Sequence, residues 1–224
     1  MEENEKNLRN KKDYAKRYAL FLVGLILTSF GIAFVTKMQL GTSPISAIPY
    51  SLSIIVPSVT MGNWTILFSI LLVLLQLIIL KKKANIFELV LQLVISFPFG
   101  YLIDASMWLL KSFNPQMYSA KIICLLLGCA IIAFGVYVQV LADVVMLPGD
   151  AFVRAIAGVT NKEFGSIRVC SDITMVTVAF LLCLVFLHTA SGVREGTIIA
   201  ALFTGNIVKL YRRLFKKIFG KTDK

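Results

Sequence analysis

Histidine and charge are both scarce in this chain, and their scarcity excludes most soluble chemistry. His188 is the one histidine in 224 residues, so neither a Ser/His/Asp relay nor a histidine-based metal site can be assembled around it. Charged residues make up 16% of the chain, against about 25% in a soluble globular domain. Cys124, Cys129, Cys170 and Cys183 lie in or beside apolar segments without metal-ligand spacing, which argues against a zinc site and a disulfide framework. No HExxH, Walker loop or GxGxxG pattern occurs. The chain is therefore read as neither an enzyme nor a metal or cofactor carrier. The first eighteen residues are polar and the first apolar run is long enough to span, so no cleavable signal peptide is expected.

What is abundant is apolar sequence. Hydrophobic residues make up 58% of the chain, and mean hydropathy is +0.81. The hydrocarbon core accepts helices of about 20 mostly apolar residues. Apolar runs near 19–36, 64–80, 86–110, 122–141 and 169–187, with a shorter one at 196–208 that continues into a basic amphipathic stretch, predict an all-α membrane protein of six spans. Residues 1–18 read as a basic tail and 209–224 as a basic amphipathic tail at the membrane surface.

The net charge of +11 does not point to nucleic acid, because the basic residues sit at the ends of apolar runs, where they orient spans. With the N-terminus in the cytoplasm, nineteen Lys/Arg fall on the cytoplasmic side, and only Lys37, Lys111, Lys121 and Arg194 fall outside. The expected arrangement is a multi-pass membrane protein with both termini cytoplasmic. Two further apolar stretches, 44–56 and 148–158, are too short to cross. Were both to cross, Lys81, Lys82 and Lys83 would move outside, against the charge rule.

The chain also resembles itself at an offset of about 104 residues. Phe30-Gly31 stands before Pro44 as Phe134-Gly135 stands before Pro148. Each proline opens a short segment with a small-residue centre (Ala47-Ile48 and Ala151-Phe152), followed by Gly62 or Gly165 and then Glu88 or Glu195. Three spans per half is an odd number, so the halves, 19–112 and 113–208, would be inserted with opposite orientation. This predicts two inverted three-helix repeats, each with a short proline-opened half-helix or re-entrant segment, an architecture common in secondary transporters.

Candidate site residues follow from these short segments. Ser43 suits an N-cap and Pro44 the first helical position after Gly41-Thr42. In the second half, Pro148 and Gly149 open the segment, with Asp150 in its first turn. Arg154 lies one turn after Asp150, and Asp172 one turn after Arg168, so each pair can share a helix face. Asp172 is the deepest ionisable candidate. Capped turns and a structural ion pair are the simpler reading of the same residues, and Glu88 and Glu195 read as interface residues. Gln76 and Gln139 are lone polar residues in spans and read as interhelical hydrogen-bonding groups.

The motifs GTSPISAIPYSLS, TMGNW and VMLPGDAFVRAI resemble those of the bacterial YczE/YyaS/YitT-type membrane proteins, over about 18–215. That resemblance implies a multi-spanning protein of the bacterial plasma membrane and carries no catalytic residue. The leading expectation is a small secondary transporter with a site between the two short helices, formed by Thr42, Ser43, Asp150, Arg154 and Asp172. The competing expectation is a membrane scaffold or regulator acting through partner proteins. The expected partners are the lipid bilayer and a small molecule or ion.

Overall fold

The computed structural model describes residues 2–81, 84–189 and 192–219, with side chains over most of 13–214. Lys82, Lys83, Lys221 and Lys224 from the charge count lie outside these residues. So do the side chains of Lys6, Arg9, Lys11, Lys12, Lys209, Arg212, Arg213, Lys216 and Lys217. The described chain forms eight helices: α1 Glu2–Lys37, α2 Pro44–Ile55, α3 Met61–Leu80, α4 Ile86–Leu109, α5 Tyr118–Ala142, α6 Pro148–Thr160, α7 Phe164–Leu187 and α8 Glu195–Phe219. Helix is the form lipid demands of an open chain, since it satisfies every interior backbone group within the segment.

Five helices are long and apolar enough to cross a membrane: α1 from Asp13, α3, α4, α5 and α7. The sixth expected span is different. The apolar part of α8, Glu195–Val208, is a shorter helix than the other five. Helix also extends into both basic tails: α1 begins at Glu2 and α8 continues to Phe219. No glycine or proline interrupts residues 2–23 or 206–219, and Glu, Lys, Arg and Leu are good helix formers. Nothing in those stretches stops a helix already nucleated by the adjoining apolar run.

α1 and α5 form the centre. About half of the apolar window in each is buried (56% and 50%), against 17% in α7. They run antiparallel, with Gly24 against Gly135 and Gly31 against Gly128. A Cβ on Gly24 would lie 2.9 Å from the Gly135 carbonyl, and one on Gly31 would lie 2.7 Å from Ile132 Cγ1. Small residues are what allow two backbones to approach so closely. Within this seam Gln139 Nε2 donates to Thr28 Oγ1 at 2.8 Å, the interhelical role expected of Gln139. Outward, Leu67, Leu71, Leu74 and Ile78 on α3 are all at least half exposed, at helical spacing, as a lipid-facing stripe requires.

The remaining contacts repeat in pattern. α1 packs on α4 as α5 packs on α8, α2 on α7 as α6 on α3, and α2 on α3 as α6 on α7. One pairing is unmatched: α3 packs closely on α4, whereas α7 and α8 make no comparable contact among the described residues. Gly62 and Gly100 permit the α3–α4 contact. Asp104 then closes it, accepting from Thr60 Oγ1 at 2.6 Å and from the Gly62 amide at 2.8 Å. A carboxylate is well placed there, at the positive end of α3.

α2 and α6 span 12 and 13 residues, too short to cross. Pro44 and Pro148 each occupy the first helical turn, where a missing amide hydrogen costs nothing. The two helices point their starts at one another, and Ile45 packs against Gly149.

Candidate functional site

α6 begins beside Gln76, four residues and about 6 Å along α3 from its end at Leu80. Its later residues, Arg154 and Gly158, face Asn85 and Glu88 at the start of α4. Its N-terminus therefore points back into the bundle. α3, α4 and α6 enclose a cavity of about 310 Å³ lined by Gln76, Asn85, Glu88, Gln92 and Arg154, with Leu80, Leu89, Ala151, Ala155 and Gly158. Gln76 and Gln92 are almost fully buried. Gln76 Nε2 donates to Gln92 Oε1 at 3.0 Å and to the Pro148 carbonyl at 3.3 Å. The second bond ties the floor to the first residue of the short helix. At the mouth, half-exposed Arg154 and Glu88 pair at 3.3 Å, joining α6 to α4.

Asp150 and Arg154, which can share a face of α6, bond to different partners. Asp150 turns to α7, where Arg168 lies between two carboxylates: Nη1 donates to Asp150 Oδ1, and Nε sits 3.3 Å from Asp172 Oδ1. The guanidinium fork can serve two carboxylates at once, which a single pairing along α6 cannot match. The Arg168–Asp172 pairing is as expected. These three side chains are between one-fifth and one-third exposed, and they join α6 to α7 beside the cavity rather than within its lining.

Thr42 and Ser43 belong to a different cluster. The Thr36 and Thr42 hydroxyls are 2.9 Å apart, and the Thr42 amide donates to Thr197 Oγ1 at 3.3 Å. The Gly196 amide donates to the Leu40 carbonyl at 2.8 Å, and Arg194 Nη1 to the Gln39 carbonyl at 3.1 Å. These bonds seal the end of α1 and the start of α2 against the start of α8. Gly41 has φ 109°, and a Cβ there would strike Thr197, so only glycine fits. Ser43 occupies the N-cap position of α2 without a capping bond. Its hydroxyl donates to Ser46 Oγ at 3.1 Å instead. No hydrogen bond or ion pair among the described residues joins Thr42 or Ser43 to Asp150, Arg154 or Asp172. Where the two short helices meet, the contact is apolar.

Gln92 and Asn85 were not anticipated, and Glu88 was read only as an interface residue. One signal was available. Residues 76 and 92 are equidistant from residue 84 in the turn between α3 and α4, so in an antiparallel helical hairpin they face one another. Among the described residues no three His, Cys, Asp or Glu side chains come close enough to hold a metal ion.

A bundle of long apolar helices with its polar groups turned inward defines a multi-pass α-helical membrane protein. The chain belongs to a family of unknown function, DUF6198, whose model matches residues 15–213. It is similar to two Bacillus subtilis proteins. The uncharacterised protein YyaS is 24% identical over 91% of this chain and 96% of its own. The uncharacterised membrane protein YczE is 26% identical over 89% of this chain and 86% of its own. The resemblance noted in the sequence is thus borne out. No solved structure matches.

Proposed function

We propose that the chain is a small secondary transporter of a bacterial plasma membrane, with six spans in two inverted halves and both termini cytoplasmic. The observation that carries this reading is the polar cavity beside α6, floored by two buried glutamines and ending at the start of a half-helix. Discontinuous helices lining a cavity inside a bundle are how transporters build solute sites. The inverted repeat is supported by the direction of α1 and α5, which hold equivalent places in the two halves yet run antiparallel. Gly24 and Gly31 become Gly128 and Gly135 at the 104-residue offset. Each packs on the counterpart of the other, as a two-fold axis between the halves requires.

On this topology α8 is the sixth span, and the Lys81 end of the bundle is cytoplasmic. The cavity opens on that side, while the Thr36–Thr42–Thr197 seal closes the other. This is an inward-facing arrangement. At the corresponding place in the other half, between α2 and α7, Ser51 and Cys183 both lie against Gly192. Rocking of one half against the other would supply alternating access. The test is an untargeted comparison of solutes taken up by cells carrying the chain, lacking it, or carrying the Gln76→Leu/Gln92→Leu double variant. A solute whose uptake requires the chain and falls with the variant supports transport. Identical uptake in all three strains removes the transporter reading in favour of a scaffold or regulator.

A further inference from the structure

We infer that the cavity beside α6 takes a small ligand carrying an amine and an acid on one molecule, the ammonium on Glu88 and the acid on Arg154. The inference deepens the transport reading and rests on it. The lining holds one anion and one cation, and they face each other across the mouth at 3.3 Å. A ligand with charge of one sign would pair with one of them and deprive the other of its partner. A neutral ligand would leave the pair closed. A zwitterion replaces one ion pair by two and strands nothing. Because Glu88 and Arg154 are half exposed, their own pairing is weak and exchangeable.

The floor agrees with this class. Gln76 and Gln92 are nine-tenths or more buried and line the cavity. Their mutual bond uses Gln76 Nε2 and Gln92 Oε1, which leaves Gln76 Oε1 and Gln92 Nε2 as acceptor and donor for a polar ligand tail. Leu80, Leu89, Ala151 and Ala155 supply apolar walls between floor and mouth. A volume of about 310 Å³ lies at the small end of ligand sites, the scale of an amino acid. The same pair of charges occurs on the headgroup of an ethanolamine phospholipid, which can reach a mouth at the membrane surface.

The test is thermal protection of the full-length purified chain in lipid-free detergent micelles. L-glutamine, L-alanine, L-alaninamide (amine only), propionate (acid only) and phosphatidylethanolamine are titrated separately. The expected result is half-protection by an amino acid at a concentration at least tenfold below that of either single-charge analogue. Glu88→Gln and Arg154→Gln should each abolish that advantage. The exchanged pair, Glu88→Arg with Arg154→Glu, should restore at least part of it. Equal protection by a single-charge analogue, no protection by any compound, or an advantage intact in Glu88→Gln overturns the assignment. Protection by phosphatidylethanolamine alone supports the ligand chemistry with lipid as its source. The two readings fail separately. Zwitterion protection without chain-dependent uptake keeps the site and removes transport; chain-dependent uptake of a singly charged solute does the reverse.

Discussion

Two chemically identical substitutions, Gly135→Ala and Gly158→Ala, should move stability in opposite directions. Both glycines are helical. A Cβ on Gly135 would overlap Thr28 Oγ1, lie 2.7 Å from the Thr28 amide and 2.9 Å from the Gly24 carbonyl. Two of those three atoms are backbone, so a rotamer change cannot relieve the clash, and α1 and α5 must separate. The Thr28 hydroxyl also holds the Gln139 amide at 2.8 Å, a bond that parting the helices would strain. Overpacking of this kind costs about 1–3 kcal/mol, and the three-way clash places Gly135 at the upper end. Against this stands a helix-propensity gain of about 1 kcal/mol for replacing glycine by alanine, which leaves a net loss of about 2 kcal/mol. At Gly158 a Cβ would meet nothing within 4 Å, so the propensity gain of about 0.5–1 kcal/mol stands alone. Equilibrium unfolding in mixed micelles should therefore separate the two variants by about 3 kcal/mol. Gly135→Ala as stable as the unsubstituted protein, or indistinguishable from Gly158→Ala, would refute the close α1–α5 seam.

Three further outcomes follow from specific bonds. Gln92→Leu strips Gln76 of its buried partner and should destabilise by about 1–3 kcal/mol; in the same unfolding assay Gln76→Leu/Gln92→Leu should recover part of that loss. A double variant worse than the sum of the singles would contradict a paired floor. Asp104→Ala removes two acceptors from the start of α3 and should cost about 1–2 kcal/mol, with Thr60→Ala costing a similar amount because it loses both its bond to Asp104 and its cap on the Asn63 amide. Gly41→Ala should lower the thermal midpoint more than any other glycine-to-alanine change in the loops, because its φ and its contact with Thr197 both exclude a side chain. A midpoint unchanged from that of the parent would show that the seal at Thr42 is looser than its geometry.

The parts legible in the sequence were those set by one-dimensional pattern. Apolar run length found α3, α4, α5 and α7 to within a turn or so, and proline placement found the starts of α2 and α6. The lone glutamines Gln76 and Gln139 were recognised as interhelical hydrogen-bonding groups, because an amide in an apolar run has few other uses. What the pattern did not carry was partner choice between distant helices. Asp150 and Arg154 share a face of α6, yet each is claimed by a different neighbour, Arg168 on α7 and Glu88 on α4. Helical spacing measures only how close two side chains are within their own helix. Thr42 and Asp150 flank the prolines that open the two short helices, yet their bonds run to different neighbours, Thr197 and Arg168. The starts of the two short helices meet through Ile45 and Gly149 instead.

The central claim, a cavity open to the cytoplasm in an inverted bundle, is tested most directly by side-specific thiol labelling. Three single-cysteine variants are needed in a background with Cys124, Cys129, Cys170 and Cys183 replaced: Ala155→Cys in the cavity wall, Lys162→Cys beyond α6 and Ser58→Cys beyond α2. A membrane-impermeant maleimide applied to intact cells should label position 58 alone, and applied to inverted vesicles should label 162 and 155. Labelling of 155 from the same face as 58, or of 58 and 162 from one face, would contradict the account.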